Sequence, residues 1–171
     1  MKKFLQFSGV ISALLALVAF ILMLATPAIV GSTALGDWSV AGTTAIFGSK
    51  TETVIGAAVT KPSVLALIGW ILGLVGLLVV VCGFVLPLLK VKSIEKFAGL
   101  MNLCAVACLV LAGVFMFLVI PTFYGANETD IPDSAVISAG WVIGAILYIA
   151  AGAIAIAPAA VDFFGKKKKR K

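Results

Sequence analysis

The sequence predicts an all-α membrane protein: a four-helix transmembrane bundle of two repeated helical hairpins, with a small extracytoplasmic β-hairpin in the first external loop. Three observations carry that prediction. Of the 171 residues 63% are hydrophobic and 12% charged, whereas a water-soluble domain needs about a quarter charged residues to clothe its surface. Four stretches are each long and apolar enough to cross about 30 Å of hydrocarbon. The basic residues, which resist translocation, collect on one side of those stretches. A mean hydropathy of +1.23 excludes a disordered chain as well, since disorder would leave that apolar surface in water.

The spans are residues 7–27, 64–89, 97–120 and 135–161, and none holds a Lys, Arg, Asp or Glu. Hydrocarbon offers the backbone no hydrogen bonds, so each span is expected to be an α-helix. The alternation of a membrane β-barrel is absent. Lys2 and Lys3 precede the first span and Ser32-Thr33-Ala34 resembles a cleavage site, the pattern of a signal peptide. The apolar run exceeds the roughly 7–15 residues of a signal core, so the span is read as an uncleaved helix.

Orientation follows from the basic residues. Lys2, Lys3, Lys90, Lys92, Lys96 and the run 166–171 fall on one side, and only Lys50 and Lys61 on the other. Both termini are therefore expected in the cytoplasm, with residues 28–62 forming the first external loop and 123–134 the second. The whole chain reads as one multi-pass domain of the plasma membrane.

The second and fourth spans align at an offset of 71, pairing Ser63 with Ser134, Gly69 with Gly140, Trp70 with Trp141, Gly73 with Gly144 and Pro87 with Pro158. The first and third align at an offset of 94, pairing Lys2 with Lys96, Pro27 with Pro121 and Gly31 with Gly125. Two parallel repeats related by an axis along the membrane normal account for both.

Lipid tails compete equally for leucine, so helices gain on lipid only by close backbone approach. Gly69, Gly73, Gly76 and Gly83 supply small surfaces along the second span, and Gly140 and Gly144 along the fourth. They are expected to pack hairpin against hairpin. Trp70 and Trp141 are read as headgroup anchors, and Pro87 and Pro158 as helix terminators or fixed kinks. Cys82, Cys104 and Cys108 lie in apolar stretches and read as small buried side chains, with neither a disulfide framework nor a metal site.

In the first external loop, a β-branched run from Trp38 to Phe47 and a second over residues 51–60 flank Gly48-Ser49. That pattern predicts a β-hairpin, which is marginal alone in water and is expected either to lie against the helix ends or to gain a third strand over residues 31–35. Trp38, Val40, Ile46 and Phe47 then form either its buried side or an exposed partner surface, and an uncovered edge is a docking place for another chain. In the second loop, Asn127-Glu128-Thr129 is formally a glycosylation sequon. Glu128, Asp130 and Asp133 lack the oxygen spacing of a calcium loop and are read as solvated.

The tail Lys166, Lys167, Lys168, Lys169, Arg170 and Lys171 is expected to hold anionic headgroups at the cytoplasmic face, at about 1 kcal/mol per residue. No aromatic platform accompanies it, so no nucleic acid is expected.

Cytoplasmic ends, a long β-rich first loop carrying Trp38 and a shorter second loop together resemble claudins and their tetraspan relatives. The Gly-Leu-Trp sequence and paired loop cysteines of that family are absent, with Leu35-Gly36-Asp37-Trp38 in their place, so no functional residue is carried over. The Ala/Gly/Val-rich sequence also looks like small four-span proteins of Gram-positive-type bacteria. Catalysis would need an activated nucleophile, an acid–base pair or a metal, and the spans offer hydroxyls, Asn102 and thiols without a base. The expected function is a non-catalytic structural, interaction or accessory role through the external loop, without a cofactor, toward another membrane protein or a second copy. The alternative is a small channel or carrier for an apolar or uncharged solute.

Overall fold

A computed structural model describes the backbone of residues 2–53, 56–88 and 98–167. In chain order the elements are α1 (Lys2–Ala25), β1 (Pro27–Thr33), β2 (Gly36–Ala41), α2 (Gly42–Phe47), β3 (Ser49–Thr53), β4 (Gly56–Thr60), α3 (Val64–Leu88), α4 (Ala98–Phe117), α5 (Val119–Asn127), β5 (Val136–Ile137) and α6 (Ala139–Lys167). Four of them contain stretches long and apolar enough to cross a membrane: Phe7–Ala25, Val64–Gly83, Gly99–Phe117 and Ala139–Ala157. Helix α1 packs on α3 and α6, and α4 packs on α3 and α6. The result is a closed up-down-up-down ring, in which side chains such as Leu14, Ile21, Val75, Leu111 and Ile146 face outward. An apolar exterior of this kind is what a bilayer, rather than water, solvates.

Small residues close the ring. Ala16, Ala19, Ala105, Ala112, Ala145 and Ala151 are fully buried. A Cβ placed on Gly113 would stand 2.7 Å from the Ala145 carbonyl of α6, so that seam depends on the missing side chain. Met23, Leu109, Met116, Trp141 and Tyr148 fill the space the small residues leave, all fully buried. Ser12 adds a polar tie, its Oγ donating to the Ala151 carbonyl at 2.7 Å.

The third span ends early. Helix α4 stops at Phe117, Leu118 is a turn residue, and α5 restarts at Val119. Pro121 has no N–H to give to the Phe117 carbonyl, which interrupts the helical ladder where the break occurs. The prolines near the other end behave differently. Helix α3 runs past Pro87 to Leu88, and α6 runs past Pro158 to Lys167, so Pro158 does not terminate its helix.

Both loops gather at one end of the ring. The expected hairpin around Gly48-Ser49 is replaced by two other hairpins. Strand β2, which holds Trp38 and Val40, pairs backwards with β1, while β3 pairs with β4. Residues 42–47 between them are helical. Their buried positions, Gly42, Ala45 and Ile46, have the i, i+3, i+4 spacing of a helix face. The β-branched residues Thr43, Thr44 and Ile46 hide that spacing in the sequence. Six residues do not sustain a helix alone. This one is held by the Gly42 N–H donating to the Thr26 carbonyl at 3.1 Å and the Ser63 N–H donating to the Ala45 carbonyl at 2.8 Å.

Strand β5 adds to β1 from the second loop, giving a three-stranded sheet in the order β2-β1-β5. Val136 and Ile137 are apolar and read as the start of the fourth span. The helix instead begins at Ala139, where Ser138 accepts from the Trp141 N–H at 3.4 Å as a cap.

Candidate functional site

The polar bonding of the described residues concentrates in the cap formed by the two loops. Ser138 Oγ donates to the Pro27 carbonyl, and its N–H donates to the Ala28 carbonyl at 3.1 Å. One residue thus joins the start of α6 to β1. On the opposite side Ser63 caps α3 by accepting from the Ala66 N–H at 3.2 Å, and it contacts Thr122 Oγ1 at 2.5 Å. Thr122 Oγ1 donates to the Leu118 carbonyl at 2.7 Å. Counting protons, Ser63 is then the donor to Thr122. This relay closes the break after α4 against the start of α3.

A reciprocal clasp joins the loops at their outer rim. The Lys61 N–H donates to Asn127 Oδ1 at 2.7 Å, and Asn127 Nδ2 donates back to the Lys61 carbonyl at 3.0 Å. The same Nδ2 donates to the Phe123 carbonyl at 2.9 Å. Both amide hydrogens are committed, so a glycan on this sequon requires one of those bonds to be given up. Next to it, Glu128 takes a left-handed backbone conformation, φ 54°, at a cost of about 1–2 kcal/mol. Its carboxylate meets Lys61 Nζ at 3.0 Å, with both side chains exposed. Such a pair contributes about 0–1 kcal/mol.

Between β2 and β4 the cap carries a groove of about 620 Å³, bordered also by Thr44 of α2 and by Phe123 and Asn127 of α5. Leu35, Val59, Ile131 and Val136 stand exposed on the same cap. Tyr124, edge-on to Phe123 with centroids 5.6 Å apart, is 8% exposed, and burial pushes its phenol up from the ordinary value. Among the described residues no three His, Cys, Asp or Glu side chains converge on a point.

The residues singled out from the sequence divide as follows. Ile46 is fully buried and belongs to the core, so it forms no part of an exposed surface; helix α2 turns it inward. Trp38 and Val40 are half-buried against that core, with the Trp38 ring lying over Gly31, where a Cβ has no room. Phe47 is 51% exposed and meets Trp70 edge-on, centroids 5.1 Å apart. Gly69 and Gly76 stand against α4, Gly73 against Tyr148 of α6, and Gly83 against Asn102 of α4. Gly140 stands against Thr26, and Gly144 against Met116 and Ala19. All six meet other parts of the same chain.

Trp141 is fully buried in the bundle, which corrects its reading as a headgroup anchor. Cys82 and Cys104 lie on the outer face of the bundle, not in its interior; an apolar solvent accepts a thiol as readily as a core does. Lys166 and Lys167 lie in the backbone range of α6, whereas Lys168, Lys169, Arg170 and Lys171 lie outside the described residues, as do Lys90, Lys92, Glu95 and Lys96.

Sequence reasoning missed Asn127 and Ser138 as joints. No local signal marks either, because the partners lie 66 and 111 positions away. Comparison with protein-family models, with curated proteins and with solved structures returns no match.

Proposed function

We propose that the protein is a non-catalytic multi-pass membrane protein that works through contact, with the cap of its two loops as the surface offered to another membrane protein or to a second copy. The observation that carries this reading is the cap itself. Serine, threonine and asparagine bonds bind two distant loops into one body, yet among the described residues β2 retains an edge with no strand beside it. A surface already ordered before encounter loses little entropy on binding, and strand edges and exposed apolar side chains are what a partner covers.

In this proposal the cap lies outside the cell and both termini lie in the cytoplasm of a cell bounded by the plasma membrane, in keeping with the basic residues on the terminal side. The basic tail, residues 166–171, holds anionic lipid there. Two duplicated hairpins and a claudin-like layout belong to the same proposal; no partner is taken over from that resemblance. The spans carry no Asp, Glu, Lys or Arg, which supports a holding role for the bundle over ion-coupled transport.

The test places a photo-crosslinking residue at Leu35 or Ile131 of the full chain in its native membrane. A stoichiometric cross-linked protein is the expected result. Cross-links to lipid alone, or solute flux through the purified chain in liposomes, overturn the proposal.

A further inference from the structure

We infer that the groove between β2 and β4 seats an extended polypeptide segment of the partner, uncharged where it lies in the groove and carrying Lys or Arg at its ends. This rests on the cap being a contact surface and names what the surface takes.

Among the described residues, β2 has β1 as its one strand neighbour and β4 has β3. Alternate residues of an antiparallel edge strand turn their N–H and C=O groups away from the sheet. On β2 those groups recur at twice the rise of a strand, about 6.8 Å. Another extended backbone supplies donors and acceptors at that interval, whereas a saccharide or a headgroup does not.

The groove has the volume of a ligand cleft, about 620 Å³. Ser39, Val40 and Ala41 form one wall and Val59 and Thr60 the other, over Phe123. None of these ionises, and hydroxyls alternate with apolar groups, which suits uncharged side chains of alternating character.

Charge then sets the ends. Asp37 lies two residues before Ser39 and so on the same face of β2, and Asp130 follows Thr129, which borders the groove. Both carboxylates are exposed, and the ion pair found among the described residues, Lys61 with Glu128, includes neither. Lys50 stands across the strand pair from Val59, on the β4 side, and Lys61, clasped to Asn127 at the α5 mouth, is matched by Glu128, so that Asp37 and Asp130 leave the β2 wall and the α5 mouth acidic.

The experiment measures fluorescence anisotropy of labelled short peptides of alternating Thr and Val on the full chain in detergent, with empty micelles as the blank. Peptides ended by Lys are compared with peptides ended by Glu and with a lysine-ended peptide N-methylated at alternate residues. Saturable binding of the lysine-ended peptide is expected, with about 10-fold weaker binding of the glutamate-ended one and none of the N-methylated one. Asp37→Asn combined with Asp130→Asn should bring the lysine-ended peptide down to the glutamate level. Val59→Trp, at a position 60% exposed, should block the groove while leaving the thermal transition of the bundle in place. Absence of saturable binding, or binding that survives N-methylation or Val59→Trp, overturns the inference. A cross-linked partner at Leu35 without peptide binding removes the groove and leaves the contact surface; loss of both removes the contact surface too.

Discussion

The indole Nε1 of Trp141 donates to the main-chain carbonyl of Met116 at 3.0 Å. Met116 lies in the last turn of α4, where carbonyls lack helical partners, and at the break the Leu118 N–H turns to the Phe115 carbonyl three residues back, at 3.1 Å. A side chain of α6 thus satisfies a carbonyl that the helix break would leave unpaired in a buried place. Trp70, its counterpart at the 71-residue offset, has a buried Nε1 with no hydrogen-bond partner among the described residues. It packs between Phe20 and Phe47, with centroids 5.7 and 5.1 Å away. The two tryptophans match in sequence and differ in task.

Trp141→Phe should therefore lower stability by about 2 kcal/mol, combining a lost buried hydrogen bond and a void. Trp70→Phe should cost less than about 1 kcal/mol, since no bond is lost. Unfolding by sodium dodecyl sulfate in mixed micelles measures both, and equal losses would count against the Met116 bond.

The glycine seams differ in tightness. At Gly69 a Cβ would stand 3.4 Å from its nearest neighbours, ordinary contact, but at Gly113 it would stand 2.7 Å from the Ala145 carbonyl. Gly69→Ala should leave the melting transition within about 0.5 kcal/mol of the parent, whereas Gly113→Ala should cost about 1–3 kcal/mol because two backbones must part.

The clasp between the loops should depend on the amide and little on the charge. Asn127→Ala removes bonds to both backbone groups of Lys61 and should cost about 1–2 kcal/mol, with faster hydrogen exchange at Lys61. Glu128→Gln removes an exposed ion pair and should cost under about 0.5 kcal/mol, with a difference that disappears in high salt. Similar exchange rates in the two variants would refute this division.

Alkali should loosen the cap through Tyr124. Burial raises its phenol above the ordinary value of 10.0, so the folded chain holds that proton more tightly than the unfolded one. The contribution is complete below the unfolded value and is lost as pH rises through the folded one. Thermal unfolding across pH 9 to 12 should show a decline that Tyr124→Phe lessens.

Helix starts show where sequence matching and three-dimensional register part. The caps of α3 and α6 are Ser63 and Ser138, 75 positions apart, whereas the matched pattern pairs Ser63 with Ser134. The four-residue difference is about one helical turn. It carries Trp141 three residues beyond its cap and Trp70 seven beyond its own. Apolar residues 135–137 concealed this start, because hydrophobicity alone does not separate a short strand from the first turn of a helix.

The sequence by itself determined the number of apolar helices and the small residues that let them approach, because a bilayer tests each stretch on composition and length, which are local properties. Tertiary structure alone decided which strands pair, that residues 42–47 coil, that Ile46 and Trp141 turn inward, and that Asn127 and Ser138 join distant loops. Those outcomes depend on backbone groups brought together from far along the chain, and no short window of residues contains both halves of such a bond.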